Sequence, residues 1–332
     1  MKQSNSSISH NQLKTLNKCL KKQDFIGTIL FIQNNDILFS KSYGYSNYHL
    51  KIKNKTNTSY PIASLQKAIT AALIMKSVKE HKLSLDDHLN KFYPKIIDSN
   101  KITIRELLNM TSGLATDKKF TIKDYTHYHS LINFDMEHLY FLGKIGVWNY
   151  QPVNYHLLTA ILEKVNHHSY HYLVYQNIIK PLHLKHTGFI KNKSLMGSMI
   201  SYYYKDKNHP YANPISNNCN FIMRKEYGTG DMISTPKDMY KIEKALVTGN
   251  LLGIKSTQQL YCINNHHIIY CAGLYPHIFK DKIYYTSYGR LKYYWSGVII
   301  SKNGKNALIM FSNRYNKWMH VRKLYEKLIF HS

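Results

Sequence analysis

The amino-acid sequence predicts an α+β protein: an antiparallel sheet assembled from both ends of the chain, covered by terminal helices and interrupted by a helical insert. Three observations carry that reading. Each end supplies one helical stretch and one hairpin, in mirrored order. The region between them repeats apolar residues at three- and four-residue spacing. At 332 residues, the chain can bury a sizeable core in one large or two moderate units.

The elements follow in order. Residues 11–22 place Leu13, Leu16 and Leu20 on one face of a short amphipathic helix. "GTILFIQNNDILFSKSYGYSN" reads as two apolar strands around the turn Asn34-Asn35-Asp36. Residues 64–81, 102–112 and 154–166 have helical spacing, and Gly113 stands where the second of these should be capped. Residues 190–224, rich in Tyr, Asn, Lys and Pro, are expected to be loop. "YYWSGVIISKNGKNALIMFSN" makes a second hairpin around Asn303-Gly304. "NKWMHVRKLYEKLIF" then returns to helical spacing through Trp318, Val321, Leu324 and Leu328. The expected organisation is one unit over 1–332, with a sheet subdomain from 10–60 and 225–331. A mainly helical insert with a loop-rich end occupies 61–224.

Composition narrows the partners. Apolar residues make up 44% and charged residues 19%, the balance of a globular protein. Lys and Arg number 45 against 19 Asp and Glu, a net charge of +26. That excess favours contact with a polyanion: nucleic acid, an anionic membrane face, or a wall polymer bearing phosphates. General richness in Lys, Asn, Tyr and Ile is the plain alternative. The tyrosines and lysines are spread evenly and no nucleic-acid motif appears, so no nucleic-acid partner is expected. Cys19, Cys219, Cys262 and Cys271 are too few for a disulfide scaffold, although a Cys262–Cys271 bridge stays open. The polar N-terminal stretch lacks a signal peptide's apolar core, and no run reaches the roughly 18 apolar residues of a spanning helix. A soluble monomer without a transmembrane segment is expected. Glu163, His167 and His171 share four-residue spacing, but without H-E-x-x-H they read as a solvated face rather than a metal site. No metal or cofactor is expected.

The stretch "YPIASLQKAITAALIM" raises the question of chemistry. A serine hydroxyl is a weak nucleophile without a base in hydrogen-bond reach. Ser64 and Lys67 stand three apart, so on a helix they project from one face and meet. Lysine serves as a base only in its neutral form, which an apolar setting favours, and Ala68 to Met75 supply one. Alone, S-x-x-K is weak evidence; Ser64 as helix cap and Lys67 as exposed flank explain it better.

Context decides between the two. "ASLQKAITAALIMKSVKEHKLSLDDHLNKFYP", "ITIRELLNMTSGL", "WNYQPVNYHLLTAILEKV", "IIKPLHLKHTGF" and "YGTGDMISTPKDMYKI" fall in the order of five landmarks of a known family. The chain resembles the serine β-lactamase and penicillin-binding-protein-like family, in its class C-like branch of DD-peptidases, esterases and teichoic-acid D-alanine esterases. The resemblance spans most of residues 27–330. It implies that Ser64 is the acylated nucleophile, Lys67 its base partner and Tyr150 the phenol that relays protons with the lysine. The best match to the family's third motif is Ser287-Tyr288-Gly289, where Gly289 lets substrate approach the strand. The amide of Arg290, with that of Ser64, would form the oxyanion hole.

Departures from the family pattern mark the substrate shell. Pro152 replaces an Asn, and Ser287 and Tyr288 replace a cation and a small residue; Asn154 in place of a Gly is a milder change, because Asn tolerates the left-handed conformation. An ester or amide carrying D-alanine in the cell wall is therefore the expected substrate, rather than a β-lactam. The expected location is extracytoplasmic, with the cytoplasm as the alternative because no export signal is visible. A catalytically degenerate member that binds an anionic wall polymer without turnover is the rival reading.

Overall fold

The computed structural model describes residues 8–48, 50–116, 136–189, 225–261, 269–279, 281–291 and 293–314. The expected loop at 190–224, the expected C-terminal helix and both Cys219 and Cys262 lie outside them.

Helix α1 (His10–Lys22) begins in a capping box that the apolar spacing did not reveal. The Ser9 hydroxyl accepts the Gln12 amide, and the Gln12 side chain accepts the Ser9 amide at 2.7 Å. Strands β1 (Gly27–Gln33) and β2 (Asp36–Tyr43) follow as a hairpin. Asn34 and Asn35 both adopt left-handed φ, 53° and 73°, which a two-residue turn of matching twist requires. The other strands of the main sheet come late: β3 (Tyr275–Phe279), β4 (Lys282–Leu291), β5 (Tyr294–Ser301) and β6 (Ala307–Ser312). All neighbours are antiparallel, in the order β3-β4-β5-β6-β1-β2. The β1–β6 pair, from Gly27 opposite Ser312 to Ile32 opposite Ala307, joins the two ends of the chain. Both strands are buried on both faces. One face packs Ile29, Phe31 and Ile299 against Leu16 and Leu20 of α1, and the other faces the larger, helical core.

That second core centres on α2 (Gln66–Lys79), which is buried all round from Gln66 to Met75. A helix without a polar face belongs in an interior, not on a surface. Against it pack α3 (Ile104–Asn109), α4 (Val153–Asn166) and the short α5 (Tyr170–Val174), which runs into a π turn at Tyr175–Ile179. Gly113 does not cap α3. The helix stops at Met110, which takes the left-handed φ of 55° itself. Gly113 is needed three residues later, where an added Cβ would lie 2.6 Å from the Phe141 ring. Two further helices, α6 (Pro236–Val247) and α7 (Ile254–Leu260), occupy sequence expected to belong to the sheet subdomain. Thr235 caps α6 through the Asp238 amide, with Pro236 at its first turn. Short strands Tyr60–Pro61, Met232–Ser234 and Gly188–Phe189 form a small second sheet that leads the chain into α2.

Candidate active site

The turn that carries Ser64 is fixed from three sides. The Ile62 amide donates to the Met232 carbonyl at 3.0 Å, continuing the small sheet. The Ser296 hydroxyl of β5 donates to the Ile62 carbonyl at 2.8 Å. A Cβ on Gly289 of β4 would lie 2.3 Å from that carbonyl oxygen and 3.0 Å from the Ala63 Cβ, so only glycine lets the strand pass this close. Gly273, at φ +95°, closes the other side; its Cβ would stand 2.4 Å from the Ala68 nitrogen. Within this clamp Ala63 is held at φ 48°. A left-handed L-residue costs about 1–2 kcal/mol, which the surrounding contacts offset. From Tyr60 to Met75, Ser64 alone is not fully buried. Its hydroxyl caps neither the 3₁₀ turn Ala63–Leu65 nor α2.

Two polar groups converge on that hydroxyl. Lys67 Nζ donates to Ser64 Oγ at 2.8 Å, and the Tyr150 phenol donates to the same oxygen at 2.9 Å. Lys67 is 1% exposed and its other recorded acceptor is the Thr229 carbonyl at 3.3 Å. Among the described residues no carboxylate pairs with it. Aromatic faces surround it instead, with Tyr150 at 5.2 Å and Tyr155 at 6.0 Å from its Nζ. Tyr150 enters from a loop whose backbone is tied down one step earlier, where the Asn149 amide donates to the Met110 carbonyl at 2.9 Å. Pro152, at φ −54°, then starts α4 and accepts the Tyr155 amide through its carbonyl. The Tyr270 ring packs edge-on against Tyr150 at 6.1 Å. Burial pushes the Tyr155 and Tyr270 phenols well above the ordinary tyrosine range, so both are neutral walls.

Sequence reasoning missed the layer beneath. Gln66, fully buried, donates to Asp231 Oδ1 at 2.6 Å and accepts the Met232 amide at 2.9 Å. Asp231 also accepts the Gly228 amide at 3.2 Å and faces His171 Nε2 at 2.7 Å across its other oxygen. This network holds the Gly228–Met232 segment, and with it the Thr229 carbonyl that receives Lys67. Gly228 is required there, since a Cβ would lie 1.9 Å from the Thr159 hydroxyl. The paired glycines around Thr229 in "YGTGDM" were the only available signal. The spacing of Glu163, His167 and His171 does not form one solvated face. Helix α4 ends at Asn166, His167 is its left-handed cap, and Glu163 accepts the Tyr170 amide at 2.7 Å and the Tyr227 phenol. Among the described residues no group of three His, Cys, Asp or Glu side chains converges as metal ligands would.

The remaining predicted residues divide. Asn154 lies in the first turn of α4, helical rather than left-handed, and 1% exposed. Its oxygen accepts the Ser112 hydroxyl at 2.6 Å and its amide donates to the Gln151 carbonyl at 2.9 Å, so it braces the fold instead of facing substrate. Gly289 flanks the nucleophile turn, and Arg290 beside it is exposed. Ser287 is buried, and its hydroxyl points to Glu243 of α6 at 3.1 Å. Burial pushes Glu243 up to about 7. Tyr288 projects to the opposite side of β4, packing near the Tyr275 and Trp295 rings.

Comparison with known proteins agrees with this architecture. The family profile described as Beta-lactamase matches residues 14–266. PbpX of Bacillus subtilis, named as a penicillin-binding protein, is 27% identical over 95% of this chain and 79% of its own length. The teichoic acid D-alanine hydrolase of Staphylococcus aureus is 29% identical over 74% of this chain; the match spans 60% of that relative. The crystal structure of FmtA from Staphylococcus aureus superposes with a TM-score of 0.84 at 24% identity, over 98% of this chain and 91% of that one. That last likeness is one of fold.

Proposed function

The chain belongs to the β-lactamase family, and on that premise we propose that it is a serine hydrolase working through an acyl-enzyme on D-alanyl esters of an anionic cell-wall polymer. The observation that carries the reading is the convergence of Lys67 Nζ and Tyr150 OH on Ser64 Oγ, at 2.8 and 2.9 Å. Ser64 Oγ attacks the ester carbonyl carbon while its proton passes to the Lys67–Tyr150 pair. The amides of Ser64 and Arg290 receive the oxyanion. Tyr150 returns a proton to the departing alcohol oxygen as the C–O bond breaks. Water then attacks the acyl-Ser64 carbonyl by the same route in reverse, releasing D-alanine.

Three considerations support the substrate class. A relative carries the name teichoic acid D-alanine hydrolase. The net charge of +26 concentrates a polyanion near the protein surface. Position 287 offers no cation for a substrate carboxylate, and its hydroxyl is turned to a buried acid, which suits a neutral alcohol leaving group. The working location that follows is outside the cytoplasmic membrane. The test is D-alanine release from D-alanylated teichoic acid, set against D-Ala-D-Ala peptides and a penicillin. Release from the ester that vanishes in Ser64→Ala is the expected result. Salt-sensitive binding to the polymer with no release would instead establish the non-catalytic binder.

A further inference from the structure

Just before Tyr150 reaches Ser64, the chain displays apolar side chains to solvent. The short strand Leu139–Phe141, paired with Leu114–Thr116, leads into the segment "YFLGKIGVW", residues 140–148. Phe141 and Ile145 turn inward against the helical core. Tyr140, Leu142, Val147 and Trp148 turn outward, 46%, 46%, 55% and 38% exposed. The segment is not loose at its base. The Leu142 amide donates to the Gly113 carbonyl at 2.7 Å and the Gly146 amide to the Thr111 carbonyl at 2.8 Å. At its tip, Gly143 and Gly146 take φ of +101° and +88° with open space around both. A firmly anchored loop thus holds four large apolar side chains in water, although its inward positions are already filled. Surface apolar residues scattered singly need no explanation, but four within nine residues mark an interaction site.

We propose that this loop is a membrane-docking surface that seats Tyr140, Leu142, Val147 and Trp148 in the interface of an anionic lipid bilayer. Trp and Tyr are the residues favoured at the boundary between headgroups and acyl chains, where a ring is half apolar and half polar. Leu142 and Val147 add purely apolar surface beside them, suited to the roughly 5–10 Å depth at which interfacial segments settle. Charge complementarity favours lipid over another protein surface. Exposed Lys144 sits at the tip between the two glycines, and the whole chain carries +26 against anionic headgroups. Because Trp148 lies two residues before Tyr150, a docked loop sets the Ser64 cleft beside the lipid surface. There the cleft faces whatever anionic polymer gathers at that surface. That consequence rests on the proposed function; the docking itself does not.

The test is co-sedimentation of the full chain with vesicles of equal parts phosphatidylglycerol and phosphatidylcholine, alongside pure phosphatidylcholine. The parent should partition onto the anionic vesicles with a blue shift in tryptophan emission. The triple variant Leu142→Ser, Val147→Ser, Trp148→Ser should lose at least tenfold in partition while keeping its circular dichroism and thermal midpoint. Should the triple variant fail to fold, Leu142→Asp alone gives the same comparison. Equal partition of parent and folded variant would overturn the proposal, since charge alone would then be sufficient. So would a parent that ignores anionic vesicles. Lipid-free self-association of the parent that the variant loses would assign the surface to a second copy of the chain. None of these outcomes depends on whether Ser64 is acylated.

Discussion

Ser287 donates its hydroxyl to one oxygen of Glu243 at 3.1 Å, and among the described residues no polar group reaches the second oxygen of that fully buried carboxyl. Burial without full pairing raises the acid to about 7 from an unfolded value of 4.5. Below about pH 4.5 the group is neutral folded or unfolded, and its burial costs little. Between 4.5 and 7 the unfolded chain ionises first, so folding stability falls as pH rises. Above about 7 the loss is complete, at roughly 3 kcal/mol. Glu243→Gln should flatten that slope, read as urea midpoints at pH 5 and pH 8. An unchanged slope would place the titration elsewhere.

Tyr150→Phe removes one of the two hydrogen bonds to Ser64 Oγ and leaves the ring packing against Tyr270. Acylation should slow about 10²–10⁴-fold, the usual share of a proton-transfer group, with little change in melting temperature. Stopped-flow labelling with a fluorophosphonate measures it. A variant that labels at the parent rate removes Tyr150 from the proton path.

Gly289→Ala places a methyl 2.3 Å from the Ile62 carbonyl oxygen and 2.5 Å from the Ser296 hydroxyl. Strand and nucleophile turn must separate, and overpacking of this kind costs about 1–3 kcal/mol. The loss of acylation should exceed what the drop in stability explains, because Ser64 follows Ala63 directly. Comparing labelling rate with thermal midpoint separates the two effects. Proportionate losses would mean that the close approach serves packing alone.

Asp231→Ala strips the acceptor from Gln66 and from the Gly228 amide together. Unmet buried donors cost about 1–3 kcal/mol each. The Thr229 carbonyl that holds Lys67 should shift with its segment, so the labelling rate falls in proportion to the displacement of Lys67. Asp231→Asn, which retains one acceptor oxygen, should recover part of both losses.

Much of the architecture was legible, for identifiable reasons. Asn34-Asn35 and Asn303-Gly304 announce hairpins because few residues tolerate left-handed turns. The spacing of Ser64 and Lys67 only raised the question; the ordered family landmarks singled that pair out and supplied Tyr150, just ahead of a helix. What stayed hidden depends on contacts between distant residues. Lys67 meets the Thr229 carbonyl across 162 positions, and Gln66 meets Asp231 across 165. Met110 caps α3 where a glycine was expected, since tertiary contacts tolerate its left-handed φ. Asn154 stands where the family motif carries a Gly, and its side chain is used by Ser112 and Gln151, which no local pattern exposes.

The central claim is that Ser64 is a nucleophile rather than a buried turn residue. Intact-mass analysis after exposure to D-alanyl esters and to a fluorophosphonate tests it most directly. The account predicts one adduct per chain, mapped by peptide sequencing to Ser64 and absent from Ser64→Ala. A folded parent that acquires no adduct, or an adduct that persists in Ser64→Ala, would contradict it.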